Sequence, residues 1–97
     1  MRYEIILSPE AVYDLRQLKA RLRKTVRDGI EKHLRHEPTK VSKSRIKKLR
    51  GMTHPQYRLR IEEIRVFYDV TINEVDILAI VAKSEAGEWL KKEGKSE

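Results

Sequence analysis

Three arginines in one short stretch of the chain have the type and spacing to bind and stabilise a phosphate. Arg58 and Arg60 alternate with apolar residues in YRLRI, and Arg65 follows in IRVFYDV. If Glu62–Glu63 forms a two-residue turn, Arg60 lies opposite Arg65 and Arg58 shares their face of a hairpin. Like charges placed opposite each other destabilise a sheet, whereas guanidinium groups match phosphate oxygens and stabilise charge developing on them. The pattern therefore predicts a phosphodiester site, unless a turn carboxylate or Asp69 neutralises the arginines.

The net charge of the chain is concentrated around these arginines. The 97 residues carry a formal charge of +7, and the segment from Lys40 to Arg65 holds nine cations and two anions. Elsewhere the cations and anions balance at thirteen each. Such a local excess is typical of a polyanion site, although a solvated basic surface is the alternative. We expect the cations of the connector before the hairpin to contact an RNA backbone. These are Lys40, Lys43, Arg45, Lys47, Lys48 and Arg50.

The other candidates are single residues. Lys83 follows an apolar run, at a strand end where functional side chains are often presented. Trp89 and Tyr57 have rings that can stack on a nucleobase, and core packing explains either ring at least as well. His54 precedes the basic strand and can exchange a proton near neutral pH, but an exposed loop histidine is the commoner explanation.

Several classes of function and location are disfavoured by the composition. The three histidines are scattered and no HExxH pattern occurs, so we expect neither a metal nor another cofactor. The absence of cysteine fits a reducing compartment, and we expect a cytoplasmic protein. No apolar run approaches the roughly 18 residues of a membrane span, and the N-terminal apolar stretch is too short for a signal peptide.

Two helices and an early strand are predicted for the first third of the chain. Residues 2–7 indicate a strand, and Ser8 followed by Pro9 is typical of a helix start. An apolar stripe at Ala11, Leu15, Leu18 and Leu22 predicts the first helix. A second apolar pattern through Val26, Ile30 and Leu34, with Thr25 as its cap, predicts a second helix and so a helical hairpin.

Strands and a closing helix are predicted for the remainder. Residues 36–48 are polar and contain Pro38, which indicates a loop. Alternation predicts the two strands of the hairpin, and the apolar run Val75–Val81 predicts a central strand. Ser84 is the expected cap of a last helix that ends at Gly94, before a frayed tail. The sequence thus predicts one α+β domain over residues 1–97, with an N-terminal strand and helical hairpin packed on a small antiparallel sheet, and a short C-terminal helix.

Four stretches of the chain resemble the RelE/ParE toxin family of toxin-antitoxin systems. They are YEIILSPEAVYDLRQL, the triplet Leu49-Arg50-Gly51, YRLRIEEIRVFYDV and VDILAIVAKSEAGEW. Together they cover most of the chain, and the triplet followed by the two hairpin strands is fairly specific. The resemblance implies a small toxin that a cognate antitoxin holds inactive.

In the RelE branch, the resemblance further implies a metal-independent enzyme that cuts mRNA in the ribosome by attack of a 2′-hydroxyl on the adjacent phosphate. Arg58 and Arg60 match two basic residues of the family's first hairpin strand, and Arg65 matches its transition-state arginine. Lys83 matches the position at which members of this branch carry a candidate general acid. Trp89 matches the position at which they often carry a stacking tyrosine. Two departures matter: arginine replaces lysine at the first two positions and is a poor proton acceptor, and tryptophan lacks the tyrosine hydroxyl.

Two other functions are compatible with this resemblance. Members of the ParE branch act on DNA gyrase and need no ribonuclease residues. A noncatalytic module that binds RNA or the antitoxin is the third possibility, since a fold does not dictate a function.

Overall fold

A strand and two helices begin the chain in the computed structural model, which describes residues 1–96. Strand β1 spans Glu4–Leu7, helix α1 spans Pro9–Gln17 and helix α2 spans Ala20–Leu34. Ser8 caps α1 as predicted, because its hydroxyl oxygen accepts a hydrogen bond from the Ala11 backbone N–H at 3.0 Å. The helical hairpin predicted from the sequence is therefore present.

The boundary between the two helices differs from the prediction. Leu18 is extended and α2 begins at Ala20, so the apolar stripe from Ala11 to Leu22 is shared by two helices. Arg23 stabilises this break, since its Nη2 donates to the Leu18 carbonyl oxygen at 2.9 Å. Thr25 lies inside α2, where its hydroxyl donates to the carbonyl oxygen of Arg21, so its prediction as a cap was wrong.

The remaining strands form a five-stranded sheet and a small two-stranded one. The five-stranded sheet has the order β1-β6-β5-β4-β2, and β3 pairs with β7. The bounds are β2 Ile46–Lys48, β3 Met52–His54, β4 Tyr57–Ile61, β5 Ile64–Val70, β6 Glu74–Ala82 and β7 Lys95–Ser96, with helix α3 at Lys83–Glu93.

The α+β class is confirmed, but the large sheet is mixed rather than antiparallel. Strand β1 pairs with β6 in parallel, with Glu4 opposite Glu74, whereas every other pair in this sheet is antiparallel. A parallel pair requires a long crossover connection, and here the chain from α1 to β5 supplies it. The alternation of apolar residues indicates a strand but not its pairing partner.

Three local predictions also need correction. Strand β2 lies in the segment 36–48 that was expected to be a loop. Helix α3 is flanked by Ala82 rather than capped by Ser84, and it has no side-chain cap. Lys95–Ser96, expected to be frayed, pairs with β3, while Glu97 lies outside the described residues. The predicted helix end at Gly94 is confirmed, since its N–H bonds to the Leu90 carbonyl oxygen.

The main core lies between helices α1 and α2 and one face of the sheet. Gly29 in α2 permits close packing on β4, because a Cβ at this position would lie 2.6 Å from Ile61 Cδ1. The buried members of this core include Ala11, Leu15, Val26, Ile30, Leu34, Leu59, Ile61, Val66, Tyr68 and Ile77. The opposite face of β4 and β5 carries Arg58, Arg60, Arg65 and Phe67, and we call it the arginine face.

Within residues 1–96, no helix is both long enough and apolar enough to cross a membrane.

Candidate functional site

The β4–β5 hairpin places the three arginines as the sequence predicts. Arg60 is paired with Arg65 and Arg58 with Phe67, and the two-residue turn aligns Ile61 with Ile64. The alternation of side chains along each strand therefore puts all three guanidinium groups on one face. The turn begins with Glu62 at a φ of 52°, a backbone conformation that non-glycine residues seldom adopt.

The three arginines differ in their exposure to solvent. Arg60 is exposed, Arg58 is half-buried and Arg65 is only 7% exposed. Arg65 is fixed by its Nη1, which donates to the carbonyl oxygens of Glu62 at 2.9 Å and Ile64 at 3.0 Å. Burial, Arg65 and Arg60 together lower the pKa of Arg58. The Nε of Arg58 is buried and has no hydrogen-bond partner among the described residues. This group of charges is consequently under mutual repulsion.

The carboxylates that could have neutralised these arginines make contacts elsewhere. Glu62 Oε1 lies 3.4 Å from Arg21 Nη2, and Asp69 Oδ2 lies 2.7 Å from His54 Nδ1. Among residues 1–96 no carboxylate oxygen lies within 4.0 Å of a guanidinium nitrogen of the three arginines. The arginine face therefore carries positive charge that no carboxylate of the described residues pairs.

An aromatic stack adjoins the arginines. Trp89 of α3 lies parallel to Phe67, with ring centroids 5.0 Å apart and an interplanar angle of 5°. Phe67 is the strand partner of Arg58, so the stack lies beside the guanidinium groups. Tyr57 packs instead on Tyr68, which belongs to the core on the opposite face. Of the two aromatic candidates, only Trp89 is placed near the arginines.

Most of the connector cations lie along strand β2 and the edge of the sheet. Lys47 is the strand partner of Arg58, and Arg45 Nη1 donates to the Arg60 carbonyl oxygen at 3.3 Å. A cleft of about 640 Å³ along this sheet edge is lined by Lys43, Lys47, Lys48 and Arg50, among others. Five of the six predicted RNA contacts thus lie along β2 and the sheet edge that it forms.

Lys40 lies away from the edge cleft that four of the other connector cations line. Its Nζ lies 3.8 Å from Glu37 Oε2, and it lines a second cleft beside His33 and His36. Burial and the charges of Arg45 and Lys32 lower the pKa of His33 in this cleft.

Lys83 lies at the turn end of the hairpin. It is the first residue of α3, its backbone N–H donates to the Glu63 carbonyl oxygen at 2.7 Å, and its side chain is exposed. This hydrogen bond ties α3 to the turn that separates Arg60 from Arg65. The sequence position alone indicated a strand end, and the structure adds its proximity to the turn.

Two features of this region were not recognised from the sequence. Phe67 shares the alternation phase of Arg65, which was visible, but its stacking on Trp89 depends on how α3 packs. The contact between His54 and Asp69 joins residues fifteen positions apart. It depends on the geometry of the segment before β4, for which the sequence offers no periodic signal.

Comparison with known proteins agrees with this architecture. Residues 5–87 match the family model described as the ParE toxin of the type II toxin-antitoxin system parDE. No curated protein sequence matches the chain significantly.

Solved toxin structures have the same fold. The archaeal RelE-RelB complex from Pyrococcus horikoshii OT3 contains a chain with 26% identity and a TM-score of 0.64, which covers 86% of this chain and 97% of its own length. The RelB-RelE antitoxin-toxin complex from Methanococcus jannaschii contains one with 19% identity and a TM-score of 0.65, covering 87% and 96%. The family match spans most of the chain, and the fold agrees with it. The chain therefore belongs to the RelE/ParE family and is a toxin of a type II toxin-antitoxin system.

Proposed function

We propose that this toxin is a ribosome-dependent endoribonuclease that cleaves mRNA without a metal ion. The observation that carries this proposal is the arginine face, where three guanidinium groups have no carboxylate partner among the described residues. Such a group of charges has a cost in folding stability that a bound phosphate would offset. A protein that only binds another protein would not need three neighbouring guanidinium groups without a carboxylate partner among residues 1–96.

The reaction that fits this face is attack of a ribose 2′-hydroxyl oxygen on the adjacent phosphorus. The new O2′–P bond gives a cyclic phosphate as the bond from phosphorus to the 5′-oxygen breaks. Arg60 and Arg65 would hold the phosphate and stabilise its developing charge from neighbouring strands. The stack of Trp89 on Phe67 offers an aromatic surface for a nucleobase. Lys47 and the edge cleft would contact the RNA backbone on the other side of Arg58.

We propose that Lys83 donates a proton to the leaving 5′-oxygen. Lys83 begins α3 at the turn end of the arginine face, two residues after Val81, the strand partner of Arg65, and its side chain is exposed. An ammonium group is a proton donor, whereas a guanidinium group holds its proton too tightly to serve in this way. Lys83→Arg, which keeps the positive charge but holds its proton more tightly, would test this role separately from substrate binding.

A cognate antitoxin is the proposed protein partner of this toxin. The similar solved structures from Methanococcus jannaschii and Pyrococcus horikoshii OT3 are complexes of RelE with RelB. We propose that the antitoxin of this chain places acidic side chains against the arginine face and so blocks access of RNA. A bound antitoxin that blocks toxicity while leaving Arg58 and Arg60 as exposed as in the free toxin would contradict direct masking.

The decisive experiment is translation of a defined mRNA by purified ribosomes, with cleavage sites mapped by primer extension. Arg60→Ala should lower the cleavage rate by about 10²–10³, because it removes a donor to the developing phosphate charge. Arg16→Ala, which removes an exposed arginine of α1 outside the arginine face, is the matched control and should cut normally. Cleavage by the wild type that is unaffected in Arg60→Ala would remove the arginine face from the mechanism.

Inhibition of DNA gyrase is the second candidate function, and the match to the ParE toxin model favours it. A supercoiling assay with purified gyrase distinguishes the two. We expect the wild type to leave supercoiling unchanged. Inhibition of gyrase together with intact mRNA on ribosomes would replace the ribonuclease proposal.

A further inference from the structure

A histidine held by a carboxylate adjoins the arginine face. His54 Nδ1 lies 2.7 Å from Asp69 Oδ2, and the other carboxylate oxygen, Oδ1, accepts the Gln56 backbone N–H at 2.7 Å. The Asp69 side chain is 15% exposed, whereas the His54 side chain is 58% exposed. The carboxylate is therefore fixed at two points, and the imidazole that it holds reaches solvent.

The position of Asp69 in β5 places this pair beside Arg58. Asp69 lies two residues after Phe67, the strand partner of Arg58. The pairing of β5 with β6 shifts by one residue after Phe67, so that Leu78 of β6 lies opposite no residue of β5. Because the extra residue belongs to β6, the side chains along β5 continue to alternate regularly. Asp69 consequently lies on the arginine face, about 7 Å along the strand from the Phe67 row.

The hydrogen bond to Asp69 determines which ring nitrogen is available for proton transfer. A carboxylate accepts hydrogen bonds, so the neutral imidazole carries its proton on Nδ1 and leaves a lone pair on Nε2. This arrangement supplies a proton acceptor beside the three arginines, which cannot accept a proton themselves because arginine side chains stay protonated.

We propose that His54 is the general base of this toxin and that Asp69 is its positioning residue. The inference rests on the proposed ribonuclease function and deepens it. Nε2 accepts the proton of the 2′-hydroxyl as its oxygen forms the bond to phosphorus, and the electron pair of the breaking bond leaves with the 5′-oxygen. That oxygen takes up a proton from Lys83 or from water, which balances the proton that the 2′-hydroxyl loses. The imidazolium later releases its proton to solvent.

Three charged residues lie on the strands next to His54. Asp69 of β5 contacts its ring, Lys95 is its strand partner in β7, and Arg58 of β4 occupies the next row of the arginine face. A general base must be unprotonated to act, so the cleavage rate should rise with pH and then level off.

The test is single-turnover cleavage of ribosome-bound mRNA by His54→Asn, compared with the wild type at several pH values. Asparagine places an amide N–H near the position of Nδ1, so the contact with Asp69 is retained while Nε2 is lost. We expect a rate about 10²–10⁴ lower, without the rising limb of the pH profile. His36→Asn is the matched control, because His36 is also exposed and its Nδ1 contacts a carbonyl oxygen, that of Met1. It should keep the wild-type rate and profile.

Asp69→Asn tests the positioning role independently. Its amide oxygen can still accept the Gln56 N–H, but its NH₂ group favours the tautomer with the proton on Nε2. We expect kcat to fall and KM to change little. A thermal melt confirms that each variant is folded.

The outcomes separate this inference from the proposed function. If the wild type cleaves, Arg60→Ala does not, and His54→Asn keeps the wild-type rate and pH profile, the toxin is a ribonuclease and His54 is not its base. If the wild type fails to cleave at any pH, both proposals are overturned together.

Discussion

Arg58 has an environment that favours function over folding stability. Its guanidinium is half-buried, its Nε has no partner among residues 1–96, and burial together with Arg65 and Arg60 lowers its pKa. Each of these features disfavours the charged form of the Arg58 side chain in the folded protein. An anion seated among the three arginines would relieve the repulsion. We therefore expect the Arg58 side chain to lower the folding stability of the free toxin and to raise its affinity for RNA.

Arg58→Met should make the free toxin more stable and less active. Methionine keeps much of the apolar stem but removes the charge, so we expect the free energy of unfolding to rise by about 0.5–1 kcal/mol. Urea unfolding at low and high salt measures this effect. The gain should shrink at high salt, because salt screens the repulsion that the substitution removes.

Arg16→Met is the control for this stability change, since Arg16 is exposed on α1 outside the arginine face. It should alter the free energy of unfolding by less than about 0.5 kcal/mol. A loss of stability in Arg58→Met would mean that the contacts of the guanidinium outweigh its repulsion.

The β4–β5 hairpin shows which parts of the site follow from local sequence. Alternation and a two-residue turn were sufficient to predict that Arg60 pairs with Arg65, because the pairing of a hairpin depends only on its turn and its strands. The parallel pairing of β1 with β6 and the placement of Trp89 on Phe67 depend on packing between distant segments. Those features could not be read from periodicity.

Strand β2 was missed for a different physical reason. Ile46 is its only buried residue, and its two lysines are exposed at the edge of the sheet. One apolar residue gives no detectable alternation, and lysine is common on edge strands because it discourages pairing with other chains. The segment that the sequence predicts as a loop therefore extends the arginine face by one strand, with Lys47 beside Arg58.

The turn of this hairpin holds Glu62 in an unfavourable backbone conformation, and a substitution that relieves it should stabilise the fold. Glu62 has a φ of 52°, which carries a steric cost for any residue with a Cβ. Glu62→Gly should raise the free energy of unfolding by about 0.5–1 kcal/mol, since the exposed ion pair with Arg21 that it removes contributes little. Thermal or urea unfolding provides the measurement.

Glu63→Gly is the control for this turn, because no positive φ occurs at Glu63. It should leave stability unchanged or lower it, as glycine increases the freedom of the unfolded chain. Equal effects of the two substitutions would show that the backbone of Glu62 is not the source of the gain.

At the scale of the whole molecule, the excess positive charge lies mostly on one side of the sheet and its adjoining edge. Lys47 stands beside Arg58 on the arginine face, and Lys43, Lys48 and Arg50 line the edge cleft. Lys40 belongs to the same basic segment of the sequence but lies beside Glu37 in another cleft. The segment from Lys40 to Arg65 predicted how much excess positive charge the chain carries, whereas the fold determines which of these charges lie on the same surface.

This distribution predicts different salt dependences for two single lysine variants. Binding of single-stranded RNA weakens as salt rises, and each phosphate contact contributes about 0.7 to the slope of log K against log salt concentration. Lys47→Ala should reduce the steepness of that slope by about 0.7, because it removes a contact on the arginine face. Lys40→Ala, which removes the same charge, should leave the slope unchanged. Fluorescence anisotropy with a 2′-O-methyl RNA, which lacks the attacking hydroxyl, measures binding without cleavage. If the two variants lower the slope equally, RNA responds to the net charge of the toxin and not to the surface that the sheet assembles.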